Sequence, residues 1–246
     1  MKKKIVFVHL ALWVGGIETA LINMLNRMDY EKYEVSCLIV TAHDDGLSSR
    51  ITPRCRLYRI DREKTISFQE KYAFRWMYKI SEEPNGKKSR LKMLRWKAMG
   101  SMRFIENILY INYVKRLMQD ESFDTAIIFS AKVAELTVKA IKAKKYISFY
   151  HYSDMRHVYH DRIGYKKSSK IVAVSNNLAT ELKEFMPEYR SKIVAVHNLT
   201  DIVYIRKKAQ EETEEKFNLD NFHIVTCGRL VNDKGIDLAV TVCQKL

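Results

Sequence analysis

Residues 4–28 read KIVFVHLALWVGGIETALINMLNRM. The first part, KIVFVHLAL (4–12), is a nearly continuous apolar and β-branched run, the pattern of a strand buried on both faces. From Ile17 the period changes: Ile17, Leu21, Met24, Leu25 and Met28 recur at three- and four-residue spacing, the stripe of an amphipathic helix. Gly15 and Gly16 stand between the two. A buried strand, a glycine turn and a helix open a βαβ unit, which implies a parallel sheet covered by helices. The lysines at 2–4 and the short apolar run also suit a signal peptide. No small-x-small cleavage site follows, however, and the run leads into the glycine turn, so a first strand is the better reading.

The same alternation continues along the chain. YEVSCLIV (33–40), CRLYRI (55–60), TAIIFS (125–130), KYISFYH (145–151), KIVAVS (170–175) and KIVAVHN (192–198) read as strands. AKVAELTVKAIKA and NNLATELKEFM between them read as helices. The expected fold class is therefore α/β, with a Rossmann-like N-terminal domain over residues 1–200. Residues 64–119 break the pattern: basic and aromatic, without a clear strand, they read as a helical insertion. Within them Leu91, Leu94, Ala98, Met102 and Ile105 form an apolar stripe beside Lys92, Arg95 and Arg103. The series of Lys and Arg over 87–103, with no acid among them, suits an anionic membrane surface or simply a solvated helix face. Residues 201–221 are polar and charged, a helix and linker. HIVTCGRLVNDKGIDLAVTVCQKL (223–246) then reads as a strand over 223–228, a phosphate-sized loop and a helix, the first βα unit of a second domain.

The formal net charge is +14, an excess that points to nucleic acid, an anionic membrane or phosphorylated substrates. Cys37, Cys55, Cys227 and Cys243 show neither CxxC nor metal-finger spacing and read as buried free thiols in a reducing compartment. No apolar stretch reaches the roughly 20 residues that span a bilayer.

Chemistry-bearing residues cluster in the loops. Gly15 and Gly16 precede a helix N-terminus, whose unpaired N–H groups and positive dipole end suit a phosphate; a tight turn that binds nothing is the plainer alternative. The pattern is not GxGxxG, so a dinucleotide finds no support. Arg229 and Lys234 follow the strand ending at Gly228, where an Arg fork and a Lys point charge suit a diphosphate; two solvated loop cations are the alternative. His151 ends KYISFYH near His157 and His160. It reads as a cleft contact or a core histidine, and less well as a zinc ligand, because the spacing is unfamiliar and no cysteine is near. Ser175 is a helix N-cap. Asp44-Asp45 before Gly46 reads as a turn rather than a metal motif.

Taken in order, HLALWVGGIETALINMLNRM, IVAVSNNLATEL, IVAVHNLTD and the strand–GRL–turn–KGxD–helix series resemble the family-4 glycosyltransferases, enzymes of the GT-B fold. The resemblance covers most of the chain and is weakest over 64–119. It implies a nucleotide-sugar donor, a glycan or lipid-linked acceptor, transfer with retention in cell-surface polysaccharide synthesis, and a cytoplasmic enzyme peripheral at the inner membrane face. No metal or other cofactor is implied. It further implies that Gly15 and Gly16 face the donor diphosphate and the acceptor, that Arg229 and Lys234 grip the diphosphate, and that His151 contacts the donor sugar. The family's E-x7-E segment and C-terminal helix are not in these 246 residues, so the chain is expected to be a truncated enzyme, inactive or nearly so on its own. A basic α/β module that holds nucleic acid or a membrane surface, or a regulatory half-enzyme, is the other reading. Its nucleic-acid form rests on charge alone, without an RNA-binding aromatic signature or helix-turn-helix pattern.

Overall fold

The computed structural model describes residues 2–41, 43–60, 110–119, 121–152, 154–212, 218, 220, 222–228, 230 and 234–244. The proposed insertion thus lies largely outside the described residues, and the basic stretch 87–103 wholly so; residues 110–117 are helical.

Among the described residues seven strands form one sheet: β1 (Lys3–His9), β2 (Tyr33–Ile39), β3 (Arg56–Arg59), β4 (Ser122–Ile128), β5 (Lys142–Tyr150), β6 (Lys170–Ala173) and β7 (Ile193–Ala195). Their order is β3-β2-β1-β4-β5-β6-β7 and every pairing is parallel. This is the doubly wound, Rossmann-like arrangement anticipated from the apolar runs. The two-residue period of a strand divides β1 between the two faces. Ile5 and Phe7 pack with Leu21 and Leu25 of α1 (Gly16–Arg27), whereas Val6 and Val8 pack with Val114, Met118 and Leu136 on the other side. A third cluster joins Ile171, Ala173 and Ile193 to Leu178 and Leu182 of the helix Asn176–Phe185. That helix begins as expected: the Ser175 Oγ accepts from the Leu178 N–H at 3.2 Å.

The strand and helix ends differ from the sequence reading in physically simple ways. The first strand leaves the ladder at His9, because the Leu10 N–H turns to the Ser130 Oγ and the Leu12 N–H to the His43 carbonyl. The helix expected over 131–143 spans only Ala134–Ala140, since Lys142 already pairs with Ser122 in the sheet. Ladder formation outweighs the helix propensity of a short Ala/Lys segment.

Close packing marks Gly164 in the helix Arg162–Lys167. A Cβ there would meet the Ala134 Cβ at 2.8 Å, Ile128 Cδ1 at 3.1 Å and Ser148 Oγ at 3.2 Å. Gly164→Ala is expected to destabilise the domain by about 1–3 kcal/mol through overpacking. A urea midpoint lowered at unchanged slope checks this.

Two compact units are distinguished, 1–200 and 201–246. The second contains the helices Ile202–Lys208 and Ile236–Cys243. The strand expected over 223–228 does not form: these residues carry no strand assignment, and Phe222, Ile224 and Val225 are exposed. A strand exists through its neighbours' hydrogen bonds, and the described residues of this unit supply no neighbour. Among the described residues of this unit none is buried, so Cys227 and Cys243 are exposed, against the expectation of buried thiols, whereas Cys37 and Cys55 are buried.

Candidate functional site

In an open parallel sheet the ligand crevice lies beyond the carboxyl ends of the strands where the winding direction reverses. Here that point falls between β1 and β4, which are adjacent while the chain proceeds outward from them in opposite directions. Three segments converge on it: the loop from His9 to Gly15, the turn after β4, and the end of β5.

Both turns are braced. The buried Asp161 carboxylate accepts the Lys132 N–H at 2.9 and 3.2 Å, holding Lys132 at φ 69, a left-handed conformation unusual for lysine. Charge-assisted bonds of this kind are worth about 1.5–3 kcal/mol, so Asp161→Ala is expected to lower stability by that amount and to loosen residues 130–132, read as faster amide exchange there. The β1 loop is braced by the residues after β2. Leu12 pairs with Asp44, and the Val14 N–H bonds the Asp45 carboxylate at 2.9 Å. Asp44 accepts from Ser48 and from Arg59. These aspartates therefore form a turn, as the sequence suggests. Trp13 and Val14 are left exposed at the tip of the loop.

The two glycines do different work. Gly15 is the N-cap of α1 with extended backbone, and a Cβ on it would lie 2.6 Å from the Glu18 Oε2. Gly16 has nothing within 4 Å of such a Cβ and faces open space. Glycine at 15 thus makes room for the Glu18 carboxylate, which is buried in the first turn of α1.

Glu18 faces a histidine. His9 is almost wholly buried, and its Nε2 lies 3.4 Å from the Glu18 Oε1, too poorly aligned for a hydrogen bond. His9 follows Phe7 by two residues, and His151 follows Phe149 by two, so both project toward the α1 face of the sheet. Phe129 lies between them, its ring centroid 5.9 Å from that of His9 and 4.7 Å from that of His151. Phe149 stacks on His151 at 5.7 Å. Neither ring nitrogen of either histidine has a hydrogen-bond partner in the protein. Burial, and then the neighbouring His9, push the His151 imidazole down to about 4; the Phe129 backbone, outside full hydrogen-bonding geometry, and Glu18 pull the other way. His151 is accordingly neutral at physiological pH, with one N–H to give and one lone pair to accept.

The structure brings Gly15, Gly16 and His151 to one edge of the first unit. Lys234 is exposed in the second unit, beside Gly235 at φ 62, and Arg229 lies outside the described residues. Sequence reasoning did not single out His9 or Glu18. Their signals were present: a histidine within an otherwise apolar strand, and a carboxylate at the third helical position after a glycine N-cap. His157 stacks on Tyr152 at 4.3 Å. Among the described residues no group of three His, Cys, Asp or Glu could hold a metal ion.

No protein-family model matches the sequence, and no curated protein matches it. Several solved structures are similar, among them the apo form of the lipopolysaccharide outer core galactosyltransferase WaaB, at 14% identity and a TM-score of 0.46. The alignment covers 81% of this chain and 46% of that one, so the chain spans about half the length of that protein.

Proposed function

We propose that the chain is the acceptor-side portion of a retaining glycosyltransferase, which moves a sugar from a nucleotide-sugar donor to a glycan or lipid-linked acceptor in cell-surface polysaccharide synthesis. The observation that carries this reading is the convergence of the Gly15–Gly16 loop, His9 and His151 on the carboxyl edge of a Rossmann-like sheet at its switch point. The order of motifs in the sequence supports it independently.

In such a transfer the bond to the diphosphate breaks and negative charge grows on the leaving group. Arg229 and Lys234 would stabilise that charge as it develops, the work a metal ion does elsewhere. Gly15 and Gly16 let a donor and an acceptor approach the backbone closely. His151, neutral and short of hydrogen-bond partners, would hold a sugar hydroxyl without adding charge. The enzyme would work in the cytoplasm, with 87–103 resting on the anionic inner face of the membrane. Among the described residues no helix is long and apolar enough to cross a membrane.

Retention of the purified chain on a glycan array tests the reading. Selective binding that is lost in His151→Ala is expected. No saccharide binding, together with oligonucleotide binding that falls steeply with salt, would instead make the chain a nucleic-acid module. The membrane contact is checked separately: cosedimentation with anionic vesicles at low salt is expected, and equal partitioning to neutral vesicles would refute it.

A further inference from the structure

β5 is an interior strand of the sheet, yet its amino half has a strand on one side only. It pairs with β4 from Lys142 onward, whereas its pairing with β6 begins at Ile147. The Ser169 N–H donates to the Tyr146 carbonyl at 2.8 Å, so the even-numbered residues of β5 turn their backbone groups toward the β6 side. The Lys144 N–H and carbonyl and the Tyr146 N–H therefore face a gap where β6 has not begun, and among the described residues no backbone partner meets them there. Such a row of unpaired groups is a template for an added strand. A cavity of about 250 Å³ opens at the amino ends of β4 and β5, lined by Ser122, Phe123, Asp124, Lys142, Ala143 and Lys144, with room for a side chain of that strand.

Charge marks the same rim. At the amino ends of β1–β3 the cations are balanced: Lys4 pairs with Glu34 and Glu121, Lys32 with Asp29, Arg54 with Glu31, and Arg56 with Glu121. At the amino ends of β5–β7 they are not. Lys142, Lys144, Lys145, Lys170 and Arg190 are all exposed there. Lys144 pairs with Asp124 at 2.7 Å, while Lys145, Lys170 and Arg190 have no acidic partner among the described residues. Lys166 and Lys167 are accounted for differently, since they complement the C-terminus of their own helix. Lysines along an edge repel a second copy of that edge and attract an acidic strand. A phosphate array answers the charge alone. An extended polypeptide also gives and takes the backbone hydrogen bonds.

We propose that an acidic, extended segment of a partner protein docks as an added strand on residues 142–146 of β5. This surface lies at the edge of the sheet opposite the candidate site, and it does not depend on the saccharide reading.

The test titrates the 246-residue chain at low salt with a short peptide of alternating Glu and Thr, read by amide NMR and hydrogen exchange. Saturable shifts and slowed exchange at the Lys144 and Tyr146 amides are expected, with the His9 and His151 signals unmoved. A peptide with Pro in place of each Thr keeps the charge but cannot form a ladder, and should bind about tenfold or more weakly. Lys145→Glu should weaken the Glu/Thr peptide several-fold. Lys144→Pro removes an N–H that the native sheet does not use, and should abolish binding with the fold intact, whereas Lys144→Gln, which loses only charge, should retain part of it. If Lys144→Pro does not fold, Lys145→Glu and the proline peptide decide. Unmoved Lys144 and Tyr146 amides, or equal binding of the two peptides, would overturn the proposal. So would tighter association with phosphatidylserine vesicles or a single-stranded oligonucleotide than with the Glu/Thr peptide, lost in Lys145→Glu.

Discussion

Phe129→Ala is expected to destabilise the first unit by about 3–5 kcal/mol, the cost of truncating a fully buried phenylalanine. Phe129 has no exposed surface and touches the rings of Phe7, His9, Phe149 and His151. It is the first residue after β4, on the strand that flanks β1 at the switch point, and its N–H completes the ladder by bonding the Val8 carbonyl at 2.9 Å. Loss of its ring removes the wall that keeps water from both histidines. Urea unfolding measures the stability loss. A rise of the His151 titration toward the ordinary imidazole range in the same variant would show that Phe129 keeps the site dry. A destabilisation below about 1 kcal/mol would mean that the site can collapse around the missing ring.

The second large effect is a pH dependence of folding that originates in His151. Its folded-state value of about 4 lies below the ordinary 6.5, first because of burial and second because of His9. Between those two values the unfolded chain binds a proton that the native chain refuses, so native stability rises with pH across this window. The contribution is fully present above about pH 6.5. It is lost as pH falls toward 4 and is constant below. At about 1.4 kcal/mol per pH unit the window is worth roughly 3 kcal/mol. His151→Phe, which keeps an aromatic ring packed against Phe129 and Phe149, should flatten the slope between pH 4 and 6.5 relative to wild type. An unchanged slope would mean that the imidazole titrates freely in the native state.

Much of the sheet was legible because burial on both faces leaves a plain mark. IVFV in β1, SCLI in β2 and IVA in β6 are apolar at nearly every position, since a central parallel strand has no solvent side. The helix stripe of α1 and the Ser175 cap were equally readable. Where elements stop was less so. β5 reaches back to Lys142 because β4 offers its backbone there, and no local residue announces that pairing. The run HIVTCG read as a strand, but strand propensity forms nothing without a partner, and residues 222–228 are exposed.

The site divides in the same way. Gly15, Gly16 and His151 could be chosen from loops and strand ends alone. His9 and Glu18 carried only weak signals, because a histidine in a buried strand and a glutamate in a first helical turn each look ordinary in isolation. Only the parity shared by β1 and β5 and the missing Cβ at Gly15 bring them together.

The most direct measurement of the central claim is imidazole NMR of the chain titrated with the glycans it retains. The ring nitrogens of His9 and His151 are buried at the switch point, while His43 and His197 are exposed and outside this cluster, so the histidines act as internal reporters. Saturable shifts confined to His9 and His151 would place the saccharide at the carboxyl edge between β1 and β4, as the account predicts. Shifts at His43 or His197 alone, or equal shifts at all of them, would contradict it.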